Sequence, residues 1–104
     1  MLIIRHAVNT TEQLRATPEW CGIEVDVRAF EKDLILHHEP FVAGELFSDF
    51  LDNFNHAFII LNIKCEGIEG RVIEQVTNRG IQEYFLLDVT PPFILKLIDR
   101  GVRK

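Results

Sequence analysis

Apolar and polar positions alternate with two different periods along this chain. Ile23, Val25 and Val27 are separated by charged residues, and this period of two predicts a strand over 22–28. Apolar residues spaced by three and four between 45 and 54 predict a helix with one buried face. The predicted strands are 2–5, 22–28, 34–38, 57–63 and 83–88, and the predicted helices are a short one around 12–14 and those over 45–54, 68–78 and 93–99.

Strands and helices alternate over most of the chain in this prediction. Such alternation is typical of an α/β protein whose parallel strands are joined by right-handed crossovers. Turn signals support the boundaries, because Thr10 or Thr11 can cap the first helix and Gly80 can end the helix over 68–78. We therefore predict an α/β fold with a parallel sheet, in one domain over 1–104.

Composition and charge narrow the class of protein. Of the 104 residues, 47% are apolar and 26% are charged, as in folded globular proteins. Eleven basic residues against sixteen acidic ones leave a net charge of −5, so we do not expect a nucleic-acid partner. No apolar run approaches the ~18 residues of a transmembrane segment, and the first residues are too polar for a signal peptide, which predicts a cytoplasmic location. Cys21 and Cys65 form no metal-binding motif and are expected to be reduced.

Titratable or amide side chains stand where the predicted strands end. In parallel α/β folds, ligands bind at the carboxyl ends of strands, so this placement predicts a functional site there. The residues are His6, then Glu24 and Asp26, then His37 and His38, then Asn62 and Lys64, and finally Asp88.

Glu24 and Asp26 are two positions apart, so both side chains lie on one face of their strand. Two carboxylates side by side repel each other and lose hydration when they are buried. A divalent cation resolves both problems, and Mg²⁺ and Ca²⁺ prefer oxygen ligands. An ion pair with Arg28 or Lys64, or a solvated edge strand, explains the same spacing equally well.

His6 and His38 are the candidate acid and base. An imidazole titrates near neutral pH, so one ring can accept a proton while the other donates one, although a lone histidine at a strand end is more often structural. His37 points away from His38 if the strand continues, and a bulge would reverse the choice between them. Lys64 can contact a phosphate oxygen or neutralise a carboxylate, and Asn62 offers a neutral oxygen on the same face.

The order of these residues resembles a known family, the glycerophosphodiester phosphodiesterases, which belong to the phosphatidylinositol-phospholipase-C-like phosphodiesterases. The family pattern is a His-Arg-Gly opening, a Glu-Asn-Thr segment, a Glu-x-Asp strand end, a His-Asp pair and a Glu-x-Lys strand end. The matching segments here are His6, Asn9-Thr10, Ile-Glu-Val-Asp-Val over 23–27, Leu-His-His-Glu over 36–39 and Leu-Asn-Ile-Lys over 61–64.

The resemblance implies a TIM barrel that hydrolyses a small phosphodiester with the help of Mg²⁺ or Ca²⁺. Such a reaction gives a phosphomonoester and an alcohol. In this likeness Glu24 and Asp26 match metal-binding carboxylates, and Lys64 matches a lysine that contacts the phosphate. His6 and His38 match the acid–base pair.

The chain also departs from that pattern. Ala7 and Val8 follow His6 where the family has Arg-Gly, and Glu39 replaces the family's Asp. Asn62 stands where the family has a third metal-binding Glu, which removes one negative charge from the metal ligands. A degenerate relative that binds a ligand or partner without catalysis is therefore the alternative function.

The length of the chain raises a further question about the barrel. About four βα units are half of a barrel of ~250 residues, so we expect parallel units resembling its amino-terminal half. Half a barrel exposes sheet edges. The sequence therefore leaves open a split or truncated gene, a missing carboxyl-terminal half, or pairing of two copies as a homo-oligomer.

Overall fold

The computed structural model describes residues 3–87 of the chain. Within them the strands are β1 (Ile4–Arg5), β2 (Gly22–Phe30), β3 (Asp33–Leu36), β4 (Glu45–Leu46), β5 (Phe58–Ile63) and β6 (Tyr84–Leu87), and the helices are α1 (Thr11–Arg15), α2 (Phe47–Leu51) and α3 (Glu69–Asn78). The predicted helix over 93–99 and the strand-end residue Asp88 lie outside the described residues.

The described strands form one mixed, six-stranded sheet in the order β4-β3-β2-β5-β6, with β1 also paired to β2. β2 pairs in parallel with β1 and β5, and β5 pairs in parallel with β6. β3 and β4 are antiparallel to their neighbours. The prediction of an all-parallel α/β fold built like half of a TIM barrel is therefore wrong.

The error lies in the connection between β2 and β3. Only Glu31 and Lys32 separate these strands, and Glu31 adopts a positive φ of 56° at the turn. A two-residue connection can only reverse the chain, because a parallel crossover needs a dozen or more residues. The five residues between the predicted strands over 22–28 and 34–38 should therefore have indicated an antiparallel hairpin.

The predicted helix over 45–54 is also shorter than its apolar spacing suggested. Glu45 and Leu46 are extended and pair with β3, and the helix runs only over Phe47–Leu51. The carboxylate of Glu45 accepts hydrogen bonds from the backbone N–H and the hydroxyl of Thr11, at the start of α1. These tertiary contacts hold the first two residues in the sheet. In α1 itself, the predicted Thr10 cap is confirmed, because its side chain accepts a hydrogen bond from the Gln13 N–H.

The two faces of the sheet differ in chemistry. Side chains of Ile23, Val25 and Val27 on β2 are fully buried in a core that includes residues of all three described helices. Alternate residues of the same strand point to the opposite face. The face that carries Glu24 and Asp26 is therefore separate from the helical core. Within residues 3–87, no helix has the length and the apolar composition needed to cross a membrane.

Candidate functional site

His6 and Glu24 form the first contact of the candidate site. His6 follows β1, and its Nδ1 lies 3.1 Å from Glu24 Oε1. The backbone supports this contact, because the Val8 N–H donates to the Glu24 carbonyl oxygen at 2.9 Å and the Val8 side chain is buried. The ring of His6 is 73% exposed, so it is open to solvent and to a ligand. A carboxylate that accepts the Nδ1 proton leaves Nε2 unprotonated in the neutral ring.

Asp26 is the most buried polar residue of the site, with only 3% of its surface exposed. Asn9 holds it at two points. Asn9 Nδ2 donates to Asp26 Oδ2 at 3.0 Å, and Asn9 Oδ1 accepts from the Asp26 backbone N–H at 2.9 Å. A buried carboxylate without partners is costly, so these hydrogen bonds stabilise both the charge and the position of Asp26.

β5 brings Asn62 and Lys64 beside the same carboxylate. Asp26 and Asn62 are direct partners in the parallel pairing of β2 and β5. Asn62 Nδ2 donates to Asp26 Oδ1 at 3.3 Å, and Lys64 Nζ lies 4.0 Å from the same oxygen. The Lys64 backbone N–H donates to the Val27 carbonyl oxygen at 3.0 Å, which continues the strand pairing past the end of β5. The structure thus places five of the predicted residues in two contact groups beside each other on β2, His6 with Glu24, and Asn62 and Lys64 with Asp26; these five residues are the polar cluster.

His38 lies apart from this cluster. Its Nδ1 is 3.7 Å from Glu39 Oε1 and its side chain is 70% exposed. In the described part of the chain, no hydrogen bond or ion pair joins His38 to Glu24 or Asp26. The backbone of His37 contacts the strand that carries the carboxylates, because its N–H donates to the Asp26 carbonyl oxygen at 3.1 Å. The His37 ring accepts a hydrogen bond from the Glu39 N–H.

Arg28 holds the segment that carries both histidines. Its Nε donates to the His37 carbonyl oxygen at 3.1 Å, and its Nη2 donates to the His38 carbonyl oxygen at 2.6 Å. The sequence suggested Arg28 only as a partner for the carboxylates. Its position two residues after Asp26 on the same face was the signal that it belongs to this surface.

Asn9 is the second residue whose role the sequence did not reveal. It appeared only as part of the Asn9-Thr10 match, without an assigned partner. The contact with Asp26 joins residues 17 positions apart, and strand periodicity carries no information about such a contact. The loop between β1 and α1 places Asn9 there, after Ala7 turns the chain with a φ of 57°.

Three oxygen-bearing side chains could hold a cation at this face. Glu24 Oε2 makes no hydrogen bond within residues 3–87, whereas both Asp26 oxygens accept bonds. Asn62 Oδ1 is buried without a hydrogen-bond partner. Carboxylate and amide oxygens are the ligands that Mg²⁺ and Ca²⁺ prefer, so these residues fit such an ion, with water completing its coordination.

The side chain of Asn62 is required to complete this set of cation ligands. Among the described residues, no group of three or more His, Cys, Asp or Glu side chains is placed to hold a metal ion. The Asn62 amide now points its NH₂ group at Asp26. Turning it over would direct Oδ1 toward the carboxylate, and this is favourable only with a cation between the two oxygens.

We find no match to the chain among protein-family models, curated proteins or solved structures.

Proposed function

We propose that this chain is a metal-dependent phosphodiester hydrolase, related to the glycerophosphodiester phosphodiesterases and acting on a small phosphodiester in the cytoplasm. The observation that carries the proposal is the polar cluster on one face of the sheet. There His6 contacts Glu24, while Asn62 and Lys64 converge on the buried carboxylate of Asp26. Acidic, basic and imidazole groups on neighbouring strands are the groups that hydrolysis of a phosphodiester requires.

In this proposal Glu24, Asp26 and Asn62 hold the cation through their side-chain oxygens. A bound Mg²⁺ or Ca²⁺ supplies charge that polarises a phosphoryl oxygen. The unpartnered Asn62 Oδ1 supports the assignment, because a buried amide oxygen without a donor gains a partner when a cation binds. Lys64 adds a second positive charge at the same place, where it can contact a phosphate oxygen.

His6 is the better-placed of the two proposed proton carriers. Glu24 fixes its ring through Nδ1, so Nε2 can accept a proton from a nucleophile or return one to a leaving oxygen. His38 takes the second role only if its segment brings the ring nearer to Asp26 when substrate binds. Arg28 holds that segment by the carbonyl oxygens of His37 and His38, while the His38 ring lies beside Glu39 on the exposed surface.

A non-catalytic relative that binds a ligand or partner is the second candidate function. Two observations favour it. Asn62 supplies no charge at the third ligand position, and His38 lies beside Glu39 instead of the carboxylate cluster. In this second candidate function the protein still binds a cation and an anion at the polar cluster, and it does not catalyse proton transfer.

Hydrolysis of bis(p-nitrophenyl) phosphate separates the two candidates. With Mg²⁺ or Ca²⁺ present, we expect the wild-type chain to release p-nitrophenol at a rate that a chelator abolishes. His6→Gln and His38→Gln should each lower kcat by about 100-fold, because each removes one proton-transfer group. Release of p-nitrophenol is followed by its absorbance.

The matched control is His56→Gln. His56 Nε2 lies 2.8 Å from the Thr17 carbonyl oxygen, away from the carboxylate cluster, and a glutamine NH₂ group can also reach such an oxygen. This variant should retain wild-type activity. Binding of the phosphodiester without cation-dependent hydrolysis would establish the non-catalytic candidate, and full activity of His38→Gln would remove His38 from the mechanism.

A further inference from the structure

A cavity of about 400 Å³ lies at the end of β2 that follows Asp26. Its volume is within the usual range for small-ligand pockets, which are mostly apolar with a few polar groups. The lining follows that composition, since apolar side chains predominate and one guanidinium and one carboxylate accompany them. The lining residues are Arg28, Ala29, Phe30, Glu31, Pro40, Phe41 and Cys65.

Phe41 is the unusual residue of this lining. Its surface is 95% exposed although its ring is fully apolar. Its backbone has a φ of 61°, a left-handed conformation that is rare and strained for a bulky residue. Neither feature contributes to packing of the core, so neither is explained by the stability of the fold.

The segment that presents Phe41 is fixed at both of its ends. Arg28 binds the carbonyl oxygens of His37 and His38 before it. Gly44 lies directly against the Leu36 carbonyl oxygen after it, so closely that a Cβ atom there would be 2.3 Å from that oxygen. The exposed ring therefore lines the cavity from a segment that is anchored on both sides.

The cavity adjoins the proposed phosphodiester site through Arg28, which lines it. Arg28 is two positions beyond Asp26 on the same face of β2, about 7 Å along the strand. A ligand whose phosphate contacts Lys64 and a cation at Asp26 can therefore extend one of its substituents along β2 toward the cavity.

We infer that this cavity binds an apolar, ring-sized alcohol group of the phosphodiester, which packs against Phe41; the inference rests on the proposed function. Because the cavity is concave, it fits a group of a small molecule better than it fits a flat surface such as a membrane. The Arg28 guanidinium in the lining complements the adjacent phosphate charge. The inference thus narrows the substrate class from small phosphodiesters in general to those with one apolar alcohol.

Binding of two matched phosphodiesters tests this inference. Diphenyl phosphate and dimethyl phosphate carry the same charge and differ in their apolar groups. With Mg²⁺ present, calorimetric titration of the full chain should show diphenyl phosphate binding about tenfold more tightly, because burying a ring removes apolar area from water. Phe41→Ala should remove that preference and leave the affinity for dimethyl phosphate unchanged.

Trp20→Ala is the matched control, because Trp20 is also an exposed aromatic residue and precedes β2 at its opposite end. It should leave both affinities unchanged. Equal affinity for the two diesters, or a preference that survives Phe41→Ala, would overturn the inference while leaving the proposed function intact. If neither diester binds, the proposed function itself is wrong.

A lipid surface is the competing occupant, and a vesicle assay with neutral phosphatidylcholine distinguishes it. We expect no binding of the wild-type chain to these vesicles. Vesicle binding that Phe41→Ala abolishes, with no preference for diphenyl phosphate, would show that the ring inserts into a bilayer and would overturn the inference.

Discussion

Replacing Asp26 by alanine should lower the free energy of unfolding by about 4 kcal/mol, the largest effect expected in this chain. The substitution removes the acceptor of two side-chain hydrogen bonds, from Asn9 and Asn62, and the ion-pair partner of Lys64, which lies 4.0 Å away. Asp26 is 3% exposed, so water cannot replace the lost contacts without opening the sheet. Urea unfolding followed by circular dichroism measures the change.

Asp33→Ala is the matched control for that experiment. Asp33 is an exposed aspartate at the start of β3, and its side chain makes no hydrogen bond or ion pair within residues 3–87. Its replacement should change the free energy of unfolding by less than about 0.5 kcal/mol. If Asp26→Ala is no more destabilising than Asp33→Ala, Asp26 does not hold the cluster together.

Gly44→Ala should destabilise the fold by about 3 kcal/mol, the second largest effect. A Cβ atom at position 44 would lie 2.3 Å from the Leu36 carbonyl oxygen, a backbone atom that cannot rotate away as a side chain can. Relief of the clash requires β3 to separate from the segment that leads into β4. The same urea titration measures the loss.

Gly70→Ala is the same chemical change, and we expect it to raise the free energy of unfolding instead of lowering it. Gly70 is exposed within α3, and a Cβ atom there would meet nothing within 4 Å. Alanine has a higher helix propensity than glycine, so this variant should gain up to about 1 kcal/mol. A Gly44→Ala variant as stable as the wild type would show that the chain near Leu36 is not packed as described.

The sequence predicted the elements better than it predicted their arrangement. Alternation over 22–28 identified β2, and the continuous apolar run over 57–63 identified β5, because burial of one face or of both faces of a strand is visible in the apolar pattern. β3 runs antiparallel to β2 because only Glu31 and Lys32 connect them. The pattern of apolar residues predicts strands but gives no information on their direction. The assumption of helical crossovers throughout led to the incorrect half-barrel.

For the candidate site, spacing predicted which side chains share a face and could not predict their partners. Glu24 and Asp26 lie together because they are two apart on one strand, and Asn62 joins them because β2 and β5 are neighbours in register. The contacts of Asn9 and Arg28 depend on loops, whose paths follow from the whole fold. His38 shows the same limit, since the loop after β3 directs its ring to Glu39.

The central claim is that the oxygens of Glu24, Asp26 and Asn62 hold one divalent cation, and calorimetric titration of MgCl₂ and CaCl₂ into the chain tests it most directly. We predict saturable binding of one ion with a Kd at or below about 1 mM. Glu24→Gln should abolish it, and Glu19→Gln, at an exposed glutamate outside the cluster, should not. Absence of binding for both ions, or binding that Glu24→Gln leaves unchanged, would contradict the claim.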